Sequence, residues 1–236
     1  MTVELFRAIP ESKLAESSEG YRRQSTLRIP SIVPYVVDNL WEWQRPDSMP
    51  SRRHAVYASG TPELALENAS APLANGDCYV ACRVVVGADE IRVAQLQVSD
   101  ARNHEDIRMI SRWLGRHGRE FTEIPLAQRQ GLAQLFSPGL RKNELDELRQ
   151  QSPLIQKLCA HVQERSTLWP TAFTAPNATS GELFFELLGS AFYRLDPLPA
   201  VNPRICTHPN VRWTLCTAAQ LRANGQSVTY ICVTKP

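Results

Sequence analysis

The order of strand-like and helix-like segments constrains the fold of this 236-residue chain more than any other feature. Strand patterns come first. Residues 103–165 then carry helical patterns that Pro125, Pro138 and Pro153 divide, and strand patterns return after residue 180. Regular alternation of single strands with single helices is missing. The order therefore predicts an α+β fold, a mixed and mostly antiparallel sheet core with a helical insertion at about 103–165.

Length and composition favour one domain over residues 1–236. At 43% hydrophobic residues, the chain can bury a core without help from disulfides or a metal. No apolar run approaches the roughly 20 residues of a membrane helix. The N-terminal MTVELFRAIPESKL has no apolar stretch of signal-peptide length. We therefore expect a cytoplasmic protein, or one translocated into a target cell, with no membrane partner.

Cysteines and charge exclude some classes of function. None of the six cysteines forms a CxxC pair or has histidines at metal-site spacing, so we expect reduced, mostly buried thiols and no metal. The net charge of +2 argues against a protein that coats nucleic acid. Only four of the 26 basic residues are lysines, which leaves 22 arginines. This bias reflects either a GC-rich genome or arginines that bind phosphates. The second interpretation has a physical basis because the guanidinium fork matches phosphate geometry.

Two of the three segments that could carry chemistry are apolar strands with one charged residue. The first, VELFRAI, predicts an opening strand that contains Arg7 and ends at Pro10. The other, SGELFFE, places Glu182 at the start of a late strand, with Glu186 as a competing carboxylate. The simpler interpretation is an arginine and two glutamates that all face solvent.

The third segment, YASGTPELA, predicts a strand, a turn and a helix. Thr61 suits the N-cap, Pro62 the first helical position, and Glu63 the positive end of the helix. Ser59 and Tyr57 precede this turn. Capping alone explains Thr61 and Pro62, and a core position explains Tyr57.

With an arginine early, a serine in the middle and a glutamate late, the chain resembles mono-ADP-ribosyltransferases of the arginine–serine–glutamate class. The resemblance implies a sheet core of ADP-ribosyltransferase type and NAD as substrate. It implies that Arg7 contacts NAD, Ser59 supports the nicotinamide pocket, and Glu182 is catalytic. Tyr57 and Thr61 join Arg7 and Ser59 as candidate NAD-binding residues.

The chain departs from the family pattern at Ser180, two residues before Glu182. Members that modify arginine carry a second glutamate there, so the departure puts arginine side chains in doubt as the acceptor. Ser180 and Glu186 remain the candidates on the acceptor side.

The expected chemistry requires these residue types. Breaking the nicotinamide–ribose bond builds positive charge on the ribose, which a carboxylate beside the ring stabilises. An arginine fork pairs with the diphosphate of NAD.

Two further groups of residues have two interpretations each. Trp41 and Trp43 either stack on a ligand or, more simply, anchor a helix. The arginines near residues 22–28 and 45–53 either hold phosphates or, more simply, form a solvated loop.

The resemblance predicts an NAD-dependent glycosyltransferase that passes ADP-ribose to a macromolecular acceptor, either protein or nucleic acid. Enzymes of this kind are often toxins or effectors, so an antitoxin or immunity partner is expected. One alternative is an NAD glycohydrolase of the RES family of toxins, which also pairs an early arginine with a YAS-like strand ahead of a helix. Another is a non-catalytic binding or adaptor protein.

Overall fold

Strands lie before and after a run of five helices in the chain. The computed structural model describes residues 4–14, 20–23, 26–70, 72–74, 76–169, 181–198, 219–223 and 226–230. The strands are β1 Phe6–Pro10, β2 Tyr21–Arg22, β3 Val56–Ala58, β4 Tyr79–Val85, β5 Ile91–Gln95, β6 Leu183–Leu187, β7 Phe192–Pro197, β8 Ala219–Ala223 and β9 Gln226–Tyr230. The helices are α1 Tyr35–Gln44, α2 Pro62–Glu67, α3 Glu105–Arg116, α4 Gly118–Glu123, α5 Leu126–Leu135, α6 Lys142–Gln151 and α7 Pro153–Arg165. The α+β class is confirmed.

All strand pairs in the described residues are antiparallel. One sheet has the order β1-β4-β7-β2, and a second has the order β3-β6-β5. Phe6 and Ser59 join them through two backbone hydrogen bonds of 2.9 and 2.8 Å. The β8–β9 hairpin is a separate antiparallel pair. The end of β3 therefore lies beside the start of β1.

Strand β6 is buried along its whole length, between two hydrophobic clusters. Because side chains alternate along a strand, Leu183, Phe185 and Leu187 join the cluster formed with β1, β4 and β7. Phe184 lies on the opposite face, in the cluster formed by the helices. Glu182 and Glu186 share the face of Phe184 by this alternation, so neither lies on a solvated sheet face.

Helix α1 is the centre of the helical cluster. Trp41 is 1% exposed, and its indole N–H donates to Asp106 of α3 at 2.8 Å. The Trp43 indole N–H donates to Asp146 of α6 at 2.9 Å. The tryptophans thus anchor α1 to two other helices, the simpler of the two interpretations. Both anchors hold α1 among the other helices, where most of its residues are buried.

Some local predictions were right and others were wrong. Thr61 caps α2 by accepting a hydrogen bond from the Leu64 N–H at 3.2 Å, as predicted. Residues 11–31 are polar in sequence, which predicts a loop, but Tyr21–Arg22 form β2 against β7. The apolar pattern of RWTLCTA predicts a strand that lies outside the described residues, and β8 at Ala219–Ala223 has no counterpart in the sequence prediction.

Among the described residues, no helix is long and apolar enough to cross a membrane. Cys78, Cys82 and Cys159 are buried free thiols, as expected. The other three cysteines lie outside the described residues.

Candidate functional site

A cavity of about 950 Å³ lies where the two sheets meet. Arg7, Tyr57, Ser59 and Glu182 all line it, although up to 175 residues separate them in sequence. The bridge between Phe6 and Ser59 brings β1 beside β3, and the pairing of β3 with β6 brings Glu182 to the same edge. The volume lies at the upper end of the range typical for small-molecule sites.

Arg7 lies on β1, opposite Cys82 of β4. Its Nη1 donates a hydrogen bond to the hydroxyl of Tyr193 on β7, and its guanidinium carbon lies 5.7 Å from the centre of that ring. Tyr193 also lines the cavity and stacks on Tyr21 at 5.0 Å between ring centres. The Arg7 side chain is therefore held at the cavity wall, and its contact with Tyr193 is the one hydrogen bond that its guanidinium makes within the described part of the chain.

Ser59 and Tyr57 are held by backbone pairing. Ser59 is 7% exposed, and both of its backbone groups bond to Phe6. Its hydroxyl has no hydrogen-bond partner within the described part of the chain, so it is available to a ligand. Burial raises the pKa of Tyr57, an effect that the nearby Arg52 partly offsets. Tyr57 is therefore a neutral phenol at neutral pH, a donor as well as an acceptor.

Glu182 directly precedes β6, and both oxygens of its carboxylate are hydrogen-bonded. Its Oε1 accepts a hydrogen bond from Arg52 Nη1 at 2.5 Å, and its Oε2 accepts one from the Ala101 N–H at 2.8 Å. Its backbone pairs with Val98 and Leu96. Each carboxylate oxygen keeps a second lone pair, so Glu182 can still accept from a ribose hydroxyl.

Glu186 does not line the cavity. It is 5% exposed, and its two oxygens accept from Arg23 Nη2 and the Ser51 N–H, both at 2.7 Å. Both carboxylate oxygens are thus bound outside the cavity lining, and the acceptor-side role expected for Glu186 stays a prediction. Thr61 caps α2 and is not among the residues lining the cavity. Ser180 lies outside the described residues.

The cavity lining also includes carboxylates that the sequence motifs do not single out, Asp38, Glu67 and Asp100. Glu67, the last residue of α2, is exposed and lines the cavity. The described structure gives it no hydrogen-bond or ion-pair partner, whereas Asp38 and Asp100 are each paired with an arginine. One sequence feature could have pointed to Glu67: it ends the short helix that the Thr61 cap begins, directly after the strand that carries Tyr57. Of the four carboxylates that line the cavity, Glu67 is therefore the one without a partner in the described structure, and it joins Glu182 as a candidate for the reaction.

The cavity arginines fall into two groups. Arg52 and Arg53 are 8% and 4% exposed, so a solvated loop is the wrong interpretation for them. Arg22 and Arg28 are exposed, and neither side chain has an ion-pair partner in the described structure. The Arg28 guanidinium lies 4.3 Å from the centre of the Tyr57 ring. Arg7, Arg22 and Arg28 are thus the cavity arginines without a carboxylate partner in the described structure, which leaves their charge available to an anion.

No group of three or more metal-ligating side chains occurs among the described residues. Comparison of the chain with protein-family models, with curated proteins and with solved structures gives no match. The site geometry is therefore the basis of the functional argument.

Proposed function

We propose that this chain binds NAD in the cavity, cleaves its nicotinamide–ribose bond and transfers ADP-ribose to a macromolecular acceptor. The observation that carries the proposal is that Arg7, Tyr57, Ser59 and Glu182, distant in sequence, line one cavity. Arg22 and Arg28 line it too, and like Arg7 they have no carboxylate partner among the described residues. The arginines can bind the diphosphate of NAD, the Tyr57 phenol can contact the nicotinamide ring, and the Glu182 carboxylate can face the ribose.

In this proposal Arg7, Arg22 and Arg28 bind the diphosphate of NAD. Guanidinium groups make paired, charge-assisted hydrogen bonds to phosphate oxygens, and a partly enclosed cavity strengthens them. Tyr57, whose ring centre lies 4.3 Å from the Arg28 guanidinium, contacts the nicotinamide ring in this proposal, and the Ser59 hydroxyl donates a hydrogen bond to the nicotinamide amide.

The glycosidic bond breaks with its electron pair leaving on nicotinamide, which departs as a neutral molecule. Positive charge then develops on the ribose, and the carboxylate of Glu182 stabilises it. A nucleophile of the acceptor bonds to the ribose carbon and releases its proton to solvent. Placement of the carboxylate matters more than acidity, because the leaving group needs no proton.

A second candidate function is NAD hydrolysis, with water as the acceptor. Glu186 is buried and bound by two donors away from the cavity, and a serine stands at position 180. Beside Glu182, the described chain therefore lacks the paired glutamate associated with modification of arginine. This favours an acceptor that needs no carboxylate at position 180 for orientation, and water is the simplest such acceptor.

The test is incubation of the purified chain with NAD labelled on the adenylate, with and without cell lysate. Release of nicotinamide with label on a macromolecule fits the transferase, and release with free ADP-ribose only fits the hydrolase. Intact NAD in both reactions, together with no NAD binding by calorimetry, rejects the proposal and leaves the adaptor interpretation.

Three carboxylate variants assign the residue that faces the ribose. We expect Glu182→Gln to lose most of the cleavage, and Glu164→Gln on the exposed face of α7 to retain it. Glu67→Gln is the decisive comparison because Glu67 is the cavity carboxylate without a hydrogen-bond or ion-pair partner in the described structure. Loss of activity in Glu67→Gln alone would move the catalytic role to α2.

A further inference from the structure

Residues 51–53 form a turn whose successive groups bind different acidic residues. The Ser51 N–H donates to Glu186, the Arg52 side chain pairs with Glu182, and the Arg53 side chain pairs with Asp38. The turn thus contacts both glutamates on one face of β6 and one aspartate of α1. Only the Arg52 contact reaches a carboxylate that the proposed reaction uses.

Arg52 is a buried cation in an aromatic setting. Its guanidinium carbon lies 5.6 Å from the Trp41 ring centre, 5.9 Å from that of Tyr57 and 5.4 Å from that of Phe184. Aromatic faces attract a guanidinium and restrict its movement. Trp41 and Phe184 are themselves almost fully buried, so the setting is rigid.

The backbone at Gly181 and Glu182 is constrained as well. Gly181 adopts a φ of +88°, and a Cβ added there would collide with the carbonyl oxygen of Leu96. The Glu182 N–H donates to the Val98 carbonyl at 2.7 Å. With the backbone fixed, the direction of the side chain depends on Arg52 and on the Ala101 N–H.

We propose that Arg52 is a positioning residue that orients the Glu182 carboxylate toward the ribose of the bound nucleotide. The inference rests on the proposed function, with Glu182 as the carboxylate that stabilises the transition state. Arg52 acts through Glu182, with which it forms an ion pair, whereas Arg7, Arg22 and Arg28 bind the phosphates. Its removal should therefore lower the rate of cleavage and leave NAD affinity nearly unchanged.

Arg53 is the matched control for Arg52. It is the next residue, is similarly buried and also pairs with a carboxylate, Asp38, at 2.8 Å. Its remaining nitrogens donate to the Leu140 carbonyl at 2.6 Å and to the Asn39 side chain at 2.6 Å. All of these partners belong to the helical part, so Arg53 stabilises the fold without contacting Glu182.

The kinetic experiment compares Arg52→Gln, Arg52→Lys and Arg53→Lys. For Arg52→Gln we expect kcat to fall by about 100-fold and the calorimetric Kd for NAD to change by less than about threefold, because misplacing a catalytic group costs rate. Arg52→Lys should recover part of the rate, since it keeps the charge without the fork. Arg53→Lys should lower the melting temperature and keep kcat.

Two further measurements separate positioning from general damage. In Arg52→Ala, millimolar guanidinium should restore part of the cleavage, whereas it should not affect Glu182→Gln. Crystal structures of Arg52→Gln and Arg53→Lys should show the Glu182 carboxylate displaced only in the first. The crystallographic comparison is independent of NAD cleavage, so it tests positioning even if the wild-type chain leaves NAD intact.

The outcomes distinguish the two proposals. An inactive wild-type chain rejects the proposed function. An active wild type with a fully active Arg52→Gln, or an unmoved Glu182 carboxylate in the Arg52→Gln crystal, overturns the positioning role alone. Equal losses of kcat in the Arg52→Gln and Arg53→Lys variants would also overturn it, since a structural defect would then explain both.

Discussion

Arg7 and Tyr193 are 186 residues apart, yet the arginine donates a hydrogen bond to the tyrosine hydroxyl at the cavity wall. Burial raises the pKa of Tyr193, and the adjacent Arg7 partly offsets this effect. The hydroxyl is therefore neutral at physiological pH and can accept from the guanidinium. The contact orients Arg7 before any ligand binds, which reduces the entropy that ordering this long side chain would cost on binding.

Tyr193→Phe should therefore weaken NAD binding. The variant keeps the ring and its stacking on Tyr21 but leaves Arg7 without its hydroxyl partner. A net hydrogen bond contributes about 1 kcal/mol, so Kd should rise about fivefold. Isothermal titration calorimetry with NAD measures this directly. Tyr79→Phe, a buried tyrosine that does not line the cavity, serves as the control. An unchanged Kd in Tyr193→Phe would remove the orienting role.

Asp38→Ala should destabilise the fold strongly. Asp38 is 5% exposed and pairs with Arg53, which stays buried when its partner is removed. Leaving one member of a buried ion pair without its partner costs about 3–5 kcal/mol. Urea denaturation followed by tryptophan fluorescence measures the loss. Glu4→Ala, which removes the exposed pair with Arg83, should cost less than about 1 kcal/mol. Similar losses in both variants would contradict this assignment.

Gly181→Ala and Gly115→Ala should change stability in opposite directions. Gly181 has a positive φ, and the carbonyl of Leu96 occupies the space where a Cβ would lie. Alanine must therefore displace the segment that carries Glu182. Gly115 lies in α3 with open space at that position, so alanine should stabilise the helix by up to about 1 kcal/mol. Melting temperatures from calorimetry check both, and an equal or higher melting temperature for Gly181→Ala would contradict the first.

Sequence patterns gave the α+β class and most elements because their signals are local. The Thr61–Pro62 cap and the alternation in β6 depend on neighbouring residues, and the structure has both. Two-residue strands such as β2 have no such signal, since only pairing with β7 defines them. That is why residues 11–31 were expected to be loop.

Pairing of charges across the fold was harder to predict than the elements. Arg52 and Arg53 are adjacent in a polar stretch, and nothing local shows that they are buried against Glu182 and Asp38. Glu186 was weighed against Glu182 from position alone, whereas its burial depends on Arg23 and Ser51. The Thr61–Pro62 pattern locates Glu67 near the end of α2, but only the packing of separate elements brings Glu67 and Tyr193 to one cavity.

Cys82 and Cys159 should resist alkylation in the native protein. Burial raises the pKa of Cys82 to about 11 and that of Cys159 to about 12, whereas cysteines of an unfolded chain ionise near pH 8.5. At pH 9 the folded chain therefore holds both as thiols, which react poorly because the thiolate is the nucleophile. Mass spectrometry after iodoacetamide treatment should find both peptides unlabelled in buffer and labelled in urea.

The same difference in pKa links stability to pH. Because the folded-state pKa values are raised, the stabilisation is fully present below the pKa of the unfolded thiols and is lost as pH rises from there toward 11. The free energy of unfolding should therefore fall between pH 8 and pH 9.5, measured by urea denaturation at each pH. The Cys82→Ala and Cys159→Ala double variant should show a weaker dependence over this range. An equal slope in the variant, or rapid native labelling of Cys82, would contradict the burial of these thiols.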